Sequence, residues 1–461
     1  MKRIFLVATF LTLAGCASIA TGADVTSQAE SKKPKNVILF IGDGMGVSTI
    51  TAARIYEGQS LGKSGEEHSL FFETFPNVAL VKTYNIDAQV PDSAGTASAI
   101  NTGLVTGRGA INVQPGNLSA GCTSETQPGP VKIMDLAEAS GMSTGVVSSA
   151  SITHATPAAV YAHAGSRGFE GYDNLSEEAL KNGCADIARQ LVMSKVDVAY
   201  GGGRRFFTAD KRKDNADLTR EWSARGDNFV YVDTAEDFTL LDPSESQQVL
   251  GLFANSHLPY HVDRKDGVDP SLTELTVSAI DNLDGRGAGY FLMVEGGRID
   301  HAHHGTNAFR ALTDTVELAS AVRAAYERTD PNETMILVTA DHSHVFTIAG
   351  YPERGNPILG LAMTTDDDGT TVPLEDADGL PYTTLGYQNG PNMRGAAVLT
   401  EEMVQDRDYK QQTGVNMRSE THGGEDVILF GTGPGSERVR GAFHQSKIFD
   451  IIVDGLSLRE E

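Results

Sequence analysis

The sequence predicts an α/β protein built on a mostly parallel β-sheet, because buried-strand segments recur along the chain and helical segments separate them. Continuously apolar segments rich in β-branched residues have the character of buried strands. They are 36–42, 145–148, 196–200, 290–294, 335–338 and 426–430. Segments of helical periodicity lie at 48–56, 131–139, 176–192, 308–327 and 446–456. This alternation is typical of a parallel sheet covered on both faces.

One long segment departs from this rhythm. Residues 348–414 are rich in Gly, Pro, Asp and Thr and lack long periodic stretches. A loop of that length inside a domain rarely lacks structure of its own. We therefore expect a small inserted subdomain at 348–414 within a single large domain that spans 35–461.

The charge balance narrows the possible partners. The chain carries 61 acidic and 37 basic residues, for a formal charge of −24, and no cluster of Lys and Arg offsets this excess. Such a chain repels nucleic acid on average, so nucleic-acid binding is not expected. An acidic protein can still act on an anionic substrate if its site holds divalent cations.

The N-terminus has the features of an export signal. Lys2 and Arg3 precede the apolar segment 4–14, which is too short to span a bilayer. The run 13–16 ends in Cys16 and resembles a bacterial lipobox, whose cysteine becomes lipidated. We expect a lipoprotein-type signal at 1–22, a flexible tether at 23–34 and a lipid-anchored protein of the periplasm or cell envelope. An ordinary signal peptide with a coincidental cysteine is the alternative.

Two further cysteines, Cys122 and Cys184, complete the set of three. An oxidising compartment favours their pairing, and two free buried thiols are the alternative.

Polar residues with catalytic chemistry follow the predicted strands, where ligands bind in parallel α/β sheets. Asp43 follows the first strand in a Gly-rich segment, although an Asp-Gly pair is also a common turn. Ser93 precedes small residues that can open a helix, and a helix N-terminus attracts anions. The simpler interpretation is that Asp92 or Ser93 only caps that helix.

Histidines and carboxylates are concentrated in three other segments. Asp300 and His304 are four residues apart, so on a helix they share one face and can hold one metal ion, with zinc favoured by this ligand pair. His301 and His303 would then support the ligands or face solvent. Asp341 and His342 follow another strand. The remaining candidates are Glu295, His422, His154 and Thr156.

Arg167 is a candidate phosphate clamp, since a guanidinium binds phosphate with two parallel hydrogen bonds. An ordinary surface arginine is the alternative. A set rich in Asp and His and without Cys favours an open, catalytic site with several metal ions over a closed structural one.

Together these segments resemble the alkaline phosphatase family. The matching motifs, in the family's order, are 42–46, 91–97, 154–159, 294–300, 339–342 and 420–422. The resemblance covers the chain from about residue 34 to the C-terminus. It implies a three-layer α/β/α sandwich, a homodimer, and a crown-like insertion at 348–414 near the dimer interface.

The resemblance also implies a role for each matching residue. Ser93 would be the nucleophile that forms a phosphoserine, and Arg167 would bind the phosphoryl oxygens. Three groups of ligands are implied: Asp300, His304 and His422 for a first zinc ion, Asp43, Asp341 and His342 for a second, and Asp43, Thr156 and Glu295 for magnesium.

Some positions distinguish branches of the family. His154 and His301 resemble the animal and marine bacterial enzymes, since the enteric bacterial branch has Asp and Lys there. With Asp92, they would support the site without binding metal. Cys122 and Cys184 stand where the animal enzymes have a disulfide. Ala254 replaces a Glu that binds calcium in the animal enzymes, so no calcium is implied.

The expected activity is hydrolysis of phosphate monoesters to an alcohol and inorganic phosphate through a phosphoserine. A related sulfatase or phosphodiesterase is one alternative, although 94–97 lacks the x-Pro-x-Arg that follows a sulfatase nucleophile. A non-catalytic, metal-binding surface lipoprotein is another. It is disfavoured because every expected ligand is retained.

Overall fold

The computed structural model of the chain describes residues 33–114 and 129–459. The predicted signal, the tether up to residue 32, Cys16 and Cys122 lie outside these ranges. The residues within these ranges cluster as one compact unit.

Strands are numbered in chain order. They are β1 Asn36–Gly42, β2 Asn77–Lys82, β3 Ser143–Ser151, β4 Val198–Gly202, β5 Phe229–Val232, β6 Gln248–Leu252, β7 Tyr290–Gly296, β8 Thr334–Ala340, β9 Ser343–His344, β10 Phe346–Ile348, β11 Met363–Thr365, β12 Thr371–Pro373, β13 Leu385–Gly390, β14 Thr413–Asn416, β15 His422–Gly423, β16 Val427–Thr432 and β17 Gly441–His444.

Helices are numbered in the same way. They are α1 Val47–Ser60, α2 Ser93–Thr102, α3 Ile133–Ala139, α4 Ala155–Tyr161, α5 Glu177–Lys181, α6 Ile187–Met193, α7 Leu218–Ser223, α8 Ala235–Thr239, α9 Leu272–Asp284, α10 Arg298–His304, α11 Ala308–Arg328, α12 Glu401–Val404 and α13 Ser446–Gly455. Short 3₁₀ helices lie at Phe71–Thr74, Tyr172–Asn174, Arg204–Phe206, Pro243–Glu245, His261–Asp263 and Ser436–Arg438.

The core is a ten-stranded sheet in the order β17-β2-β16-β8-β1-β7-β3-β4-β6-β5. Its antiparallel pairings both involve β16, and the remaining neighbours are parallel. Every residue of β1, β7 and β8 is buried, as expected for central strands covered on both faces. The predicted α/β fold with a mostly parallel sheet is confirmed.

Two groups of helices cover the sheet. In one group α11 packs against α1, α9 and α10, and in the other α2 packs against α3, α4 and α13. Strand β7 contacts α9 and α11 from the first group and α3 and α4 from the second. The central strands therefore lie between two helical layers.

Register aligns the ends of the central strands. Ile41 of β1 pairs with Glu295 of β7, and Gly42 pairs with Ala340 of β8. Asp43 directly follows β1, and Asp341 directly follows β8. The fold itself therefore brings three carboxylates to one edge of the sheet.

The segment predicted as an insertion contains small sheets apart from the large one. Strands β10, β13 and β14 form one and β11 and β12 another. A separate apolar cluster of Leu361, Leu399 and Val404 packs there. Its irregular composition thus corresponds to short strands joined by turns.

One predicted helix is wrong in extent. The segment 176–192 forms two helices, α5 and α6, because the chain turns at Gly183 with φ of +71°, which a glycine adopts at little cost. Asp186 then caps α6 by accepting a hydrogen bond from the Arg189 amide. In the large sheet, the strands that were not predicted from the sequence are β2, β5, β6 and β17.

No helix within 33–114 and 129–459 combines the length and apolar character needed to cross a bilayer.

His163 gives the fold a defined acid sensitivity. Its Nδ1–H donates to the Asn112 carbonyl oxygen at 2.8 Å, and its Nε2 accepts from Lys132 Nζ at 2.9 Å. Burial and the Lys132 ammonium lower the pKa of His163 from 6.5 to about 4. Because the unfolded chain takes up this proton first as pH falls, the free energy of unfolding decreases between pH 6.5 and about 4.

We expect His163→Gln to remove about 2 kcal/mol of the decrease in unfolding free energy that the wild type shows from about pH 7 to about pH 5. Urea denaturation of both proteins at both pH values measures it. The same decrease in both proteins would show that His163 is not responsible.

Candidate metal and phosphate site

Ser93 is the first residue of α2, and Asp92 is the N-cap, accepting a hydrogen bond from the Gly95 amide at 3.2 Å. The Ser93 hydroxyl is almost fully buried. Its Oγ lies 3.2 Å from Nε2 of His342 and 3.4 Å from Oδ1 of Asp43. The capping interpretation therefore holds for Asp92, while Ser93 faces the residues that follow β1 and β8.

The first predicted ligand group converges on one carboxylate oxygen. Asp300 and His304 lie on α10, with Asp300 Oδ1 3.3 Å from His304 Nε2. The same oxygen is 3.5 Å from Nε2 of His422, and the two imidazole Nε2 atoms are 3.2 Å apart. Residues more than a hundred positions apart thus meet at one point.

The hydrogen bonds of the other ring nitrogen, Nδ1, determine the tautomer of these two imidazoles. Nδ1 of His304 donates to the Glu420 carbonyl oxygen at 2.7 Å, and Nδ1 of His422 donates to that of Pro91 at 2.8 Å. A carbonyl only accepts, so both neutral rings present unprotonated Nε2 atoms. Two lone pairs 3.2 Å apart repel each other unless a cation lies between them.

The second group joins Asp43, Asp341 and His342. His342 Nε2 lies 3.3 Å from Oδ1 of Asp43 and 3.5 Å from Oδ2 of Asp341. Asp341 also accepts hydrogen bonds from the Gly44 amide at 3.1 Å and from the Thr96 hydroxyl at 3.2 Å. The hydrogen bond from Thr96 connects the end of β8 to α2, the helix that carries Ser93.

The third group consists of buried oxygen atoms. One carboxylate oxygen of Glu295 accepts a hydrogen bond from Ser148, whereas Glu295 Oε1, Asp43 Oδ2 and Thr156 Oγ1 are buried without a hydrogen-bond partner of good geometry. Asp43, Glu295 and His154 offer ligand atoms within 4.8 Å of one another. Buried polar atoms are rarely left unpartnered, so this oxygen set fits a hard cation.

The pKa shifts of the side chains in this cluster also favour bound cations. Burial raises the pKa of Asp43 well above its ordinary value, and the neighbouring Asp341, Asp300 and Glu295 raise it further. Burial also raises the pKa of Glu295 to about 7. In contrast, burial lowers the pKa of His342. Clustered carboxylates beside neutral imidazoles need positive charge to remain ionised, and bound divalent ions supply it.

Arg167 lies at the side of this cluster. Its two terminal nitrogens contact Oδ2 of Asp92 at 3.3 Å and Nε2 of His154 at 3.0 Å. The Arg167 amide also donates to the Gly109 carbonyl. The guanidinium is therefore held beside Ser93 rather than free on the surface.

His344 and Glu420 belong to the site although the sequence gave them no role. His344 bridges Glu420 Oε2 at 2.6 Å and Asp300 Oδ1 at 2.9 Å. Burial opposes its protonation, yet these two carboxylates raise the pKa of His344 to about 10. A Cβ on Gly44 would lie 2.3 Å from His344 Nε2, so only glycine fits there. The available signal was that His344 lies two residues after the motif 339–342 and that Glu420 lies within the motif 420–422.

The other histidines differ in their surroundings. His303 is fully buried and bonded to Thr49 Oγ1 at 2.9 Å and Tyr387 OH at 2.8 Å. The His301 ring lies 5.3 Å from that of His154 and 4.2 Å from that of His257, centroid to centroid. His257, which sequence reasoning missed, accepts a hydrogen bond from the Ser151 amide at 3.0 Å.

This arrangement agrees with the comparison to known proteins. A sequence profile described as alkaline phosphatase matches residues 34–458. The chain belongs to the alkaline phosphatase family. It is 41% identical to the tissue-nonspecific alkaline phosphatase of Gallus gallus over 439 residues, which cover 90% of this chain and 83% of the relative. The corresponding human isozyme is 40% identical, with 90% and 82% covered.

Solved alkaline phosphatases share the fold. The enzyme from the Antarctic bacterium TAB5 superposes with a TM-score of 0.65 at 26% identity, covering 93% of this chain and 100% of that one. The cold-active enzyme of a psychrophilic Shewanella gives 0.67 at 26% identity, covering 91% and 99%. The resemblance seen in the motifs is therefore confirmed as membership of the alkaline phosphatase family.

Proposed function

We propose that this protein hydrolyses phosphate monoesters through a phosphoserine on Ser93, at a site that holds two zinc ions and one magnesium ion. The observation that supports it most directly is the position of Ser93 Oγ, within 3.4 Å of both Asp43 and His342 at the start of α2. Relatives at about 40% identity are named alkaline phosphatases.

The donor chemistry supports the choice of ions. Mixed imidazole and carboxylate ligands suit zinc, and all-oxygen ligands suit magnesium. The proposed ligands are Asp300, His304 and His422 for the first zinc ion, Asp43, Asp341 and His342 for the second, and Asp43, Thr156 and Glu295 for magnesium. Bound there, the ions would supply positive charge to the attacking and leaving oxygens.

The chain's own residues position the nucleophile. The Ser93 Oγ hydrogen bonds leave its proton facing acceptor atoms of Asp43 and His342. The N-terminus of the ten-residue α2 directs its dipole at an incoming phosphoryl group. Ser93 Oγ then attacks phosphorus in line, the ester oxygen departs with the bonding electrons, and water later cleaves the phosphoserine.

Arg167 would bind two equatorial phosphoryl oxygens, with Asp92 and His154 holding its guanidinium in place. We expect Arg167→Ala to lower kcat/KM by about 10²-fold and to weaken competitive inhibition by inorganic phosphate, because one charged donor to the transition state is lost. Steady-state kinetics with an aryl phosphate measure both.

Arg440→Ala is the matched control, because Arg440 is exposed and precedes β17, at the end of the sheet opposite to the one where Asp341 follows β8. An inhibition constant for phosphate that is the same in Arg167→Ala and wild type would contradict this role.

The activity itself is tested by comparing turnover of an aryl phosphate monoester, a phosphate diester and an aryl sulfate by the zinc- and magnesium-loaded protein. We expect the monoester to be hydrolysed fastest by a wide margin. Faster turnover of the diester or the sulfate would favour a related phosphodiesterase or sulfatase. Bound zinc without any turnover would favour a non-catalytic metal-binding protein.

The remaining features are proposed on the sequence and the family together. We propose export and lipid anchoring through Cys16, and a disulfide between Cys122 and Cys184. Intact-mass measurement of the envelope-extracted protein tests both.

We also propose a homodimer formed through 348–414, where Tyr351 is 92% exposed and Val398 is 61% exposed. Light scattering tests the dimer.

A further inference from the structure

A cavity of about 970 Å³ opens beside the proposed zinc ligands. His304, His422 and Asp92 form its inner wall, and Val90 and Met417 contribute exposed apolar surface further out. The cavity is large enough for the whole body of a small organic leaving group.

Two arginines line the same cavity on different sides. Arg108 belongs to a loop fixed to the site, since the adjacent Gly109 donates its amide to Asp92 Oδ2 at 3.0 Å. Arg418 is two residues from Glu420, whose amide donates to the His304 carbonyl at 3.2 Å. The backbone next to Arg108 is therefore fixed to Asp92, and the backbone next to Arg418 is fixed to His304.

Neither guanidinium is paired with an acidic side chain in the part of the chain that the structure describes. Both side chains are exposed, and within 33–114 and 129–459 no hydrogen bond or ion pair joins either guanidinium to another side chain. Arg167 differs, since it contacts Asp92 at 3.3 Å. In a chain with a formal charge of −24, two arginines at one cavity, neither of them in an ion pair with a described residue, can attract a second anion there.

We propose that this cavity receives the leaving group and that Arg108 and Arg418 select leaving groups that carry a second phosphate. The inference rests on the proposed function and adds the substrate class, bisphosphorylated compounds such as sugar bisphosphates. One phosphate meets Ser93 and Arg167, and the other meets the two arginines across the apolar surface of Val90 and Met417.

The chemistry is that of the monoester reaction. Ser93 Oγ forms the new bond to phosphorus, the ester bond breaks, and the monophosphorylated alcohol leaves with the ester oxygen and takes up a proton. One water molecule then hydrolyses the phosphoserine. The products are one inorganic phosphate and one monophosphate ester, so that atoms and charge balance.

The test compares fructose 1,6-bisphosphate with fructose 6-phosphate at constant ionic strength, using wild type, Arg108→Ala, Arg418→Ala and the double variant. We expect the double variant to lose about 10-fold in kcat/KM for the bisphosphate, mostly through KM, and less than about 2-fold for the monophosphate. Arg440→Ala, the matched exposed arginine, is expected to change neither.

Equal losses on both sugars, or no loss on the bisphosphate, would overturn the inference while leaving the phosphatase activity intact. Wild type that turns over neither sugar nor phenyl phosphate when loaded with metal would instead refute the proposed function, and the inference with it.

Discussion

Replacement of Ser93 by alanine is expected to lower kcat for an aryl phosphate by about 10⁴-fold or more, on the order of 5 kcal/mol in activation free energy. The reason is that Ser93 Oγ stands at the start of α2 and within 3.4 Å of both Asp43 and His342. Steady-state kinetics with metal-loaded protein measure the loss. A serine that only packed against the cluster would leave kcat within a small factor of wild type.

The fold and the ligands should survive this substitution, because the removed hydroxyl is one small group among many ligands. Metal content and the thermal unfolding midpoint of Ser93→Ala are therefore expected to match wild type. Loss of bound zinc in the variant would mean that any loss of activity reflects a damaged site, and would contradict the assignment of Ser93 as nucleophile alone.

Removal of divalent ions is expected to abolish turnover and to destabilise the fold. Burial raises the pKa values of Asp43 and Asp341, and neighbouring carboxylates raise them further, so keeping these groups ionised without cations costs free energy. Ions present at about 1,000 times their dissociation constant would contribute about 4 kcal/mol to stability. Phosphatase assays and thermal unfolding after dialysis against a chelator, then after zinc and magnesium are restored, measure both effects.

Two Asp→Asn variants distinguish the loss of a metal ligand from a general effect of replacing a carboxylate by an amide. Asp300→Asn is expected to lose zinc and activity, whereas Asp367→Asn, at an exposed position in 348–414, is expected to retain both. Full activity in protein that holds less than about one ion per ten chains would contradict a metal-dependent reaction.

The parts of the fold that could be predicted are those whose signal is local. Strands β1, β7 and β8 are buried on both faces, so their sequences are continuously apolar. Strand β2 was not predicted, although 78–81 is continuously apolar; its burial, which the sequence does not show, alternates, with Val78 and Leu80 each 47% exposed. Strand β17 is four residues long and pairs with β2, an interaction that no local sequence pattern specifies.

For the site as well, only the residues with a local sequence signal could be predicted. Asp43, Asp300 and Asp341 could be identified because each follows or lies near a strand end within a motif. His344 and Glu420 could not be given a role, since their link spans 76 positions and is visible only in three dimensions. His257 lies outside every motif, and its contact with His301 depends on how the β6 end meets α10.

The central claim is that distant segments place a ring of carboxylates and imidazoles around a single reactive hydroxyl. Acid quenching of the metal-loaded enzyme during turnover of a ³²P-labelled monoester, followed by peptide mapping, tests it most directly. Label on the peptide that contains Ser93, and on no other, is the predicted result. Label on another residue, or none during steady turnover, would contradict the account.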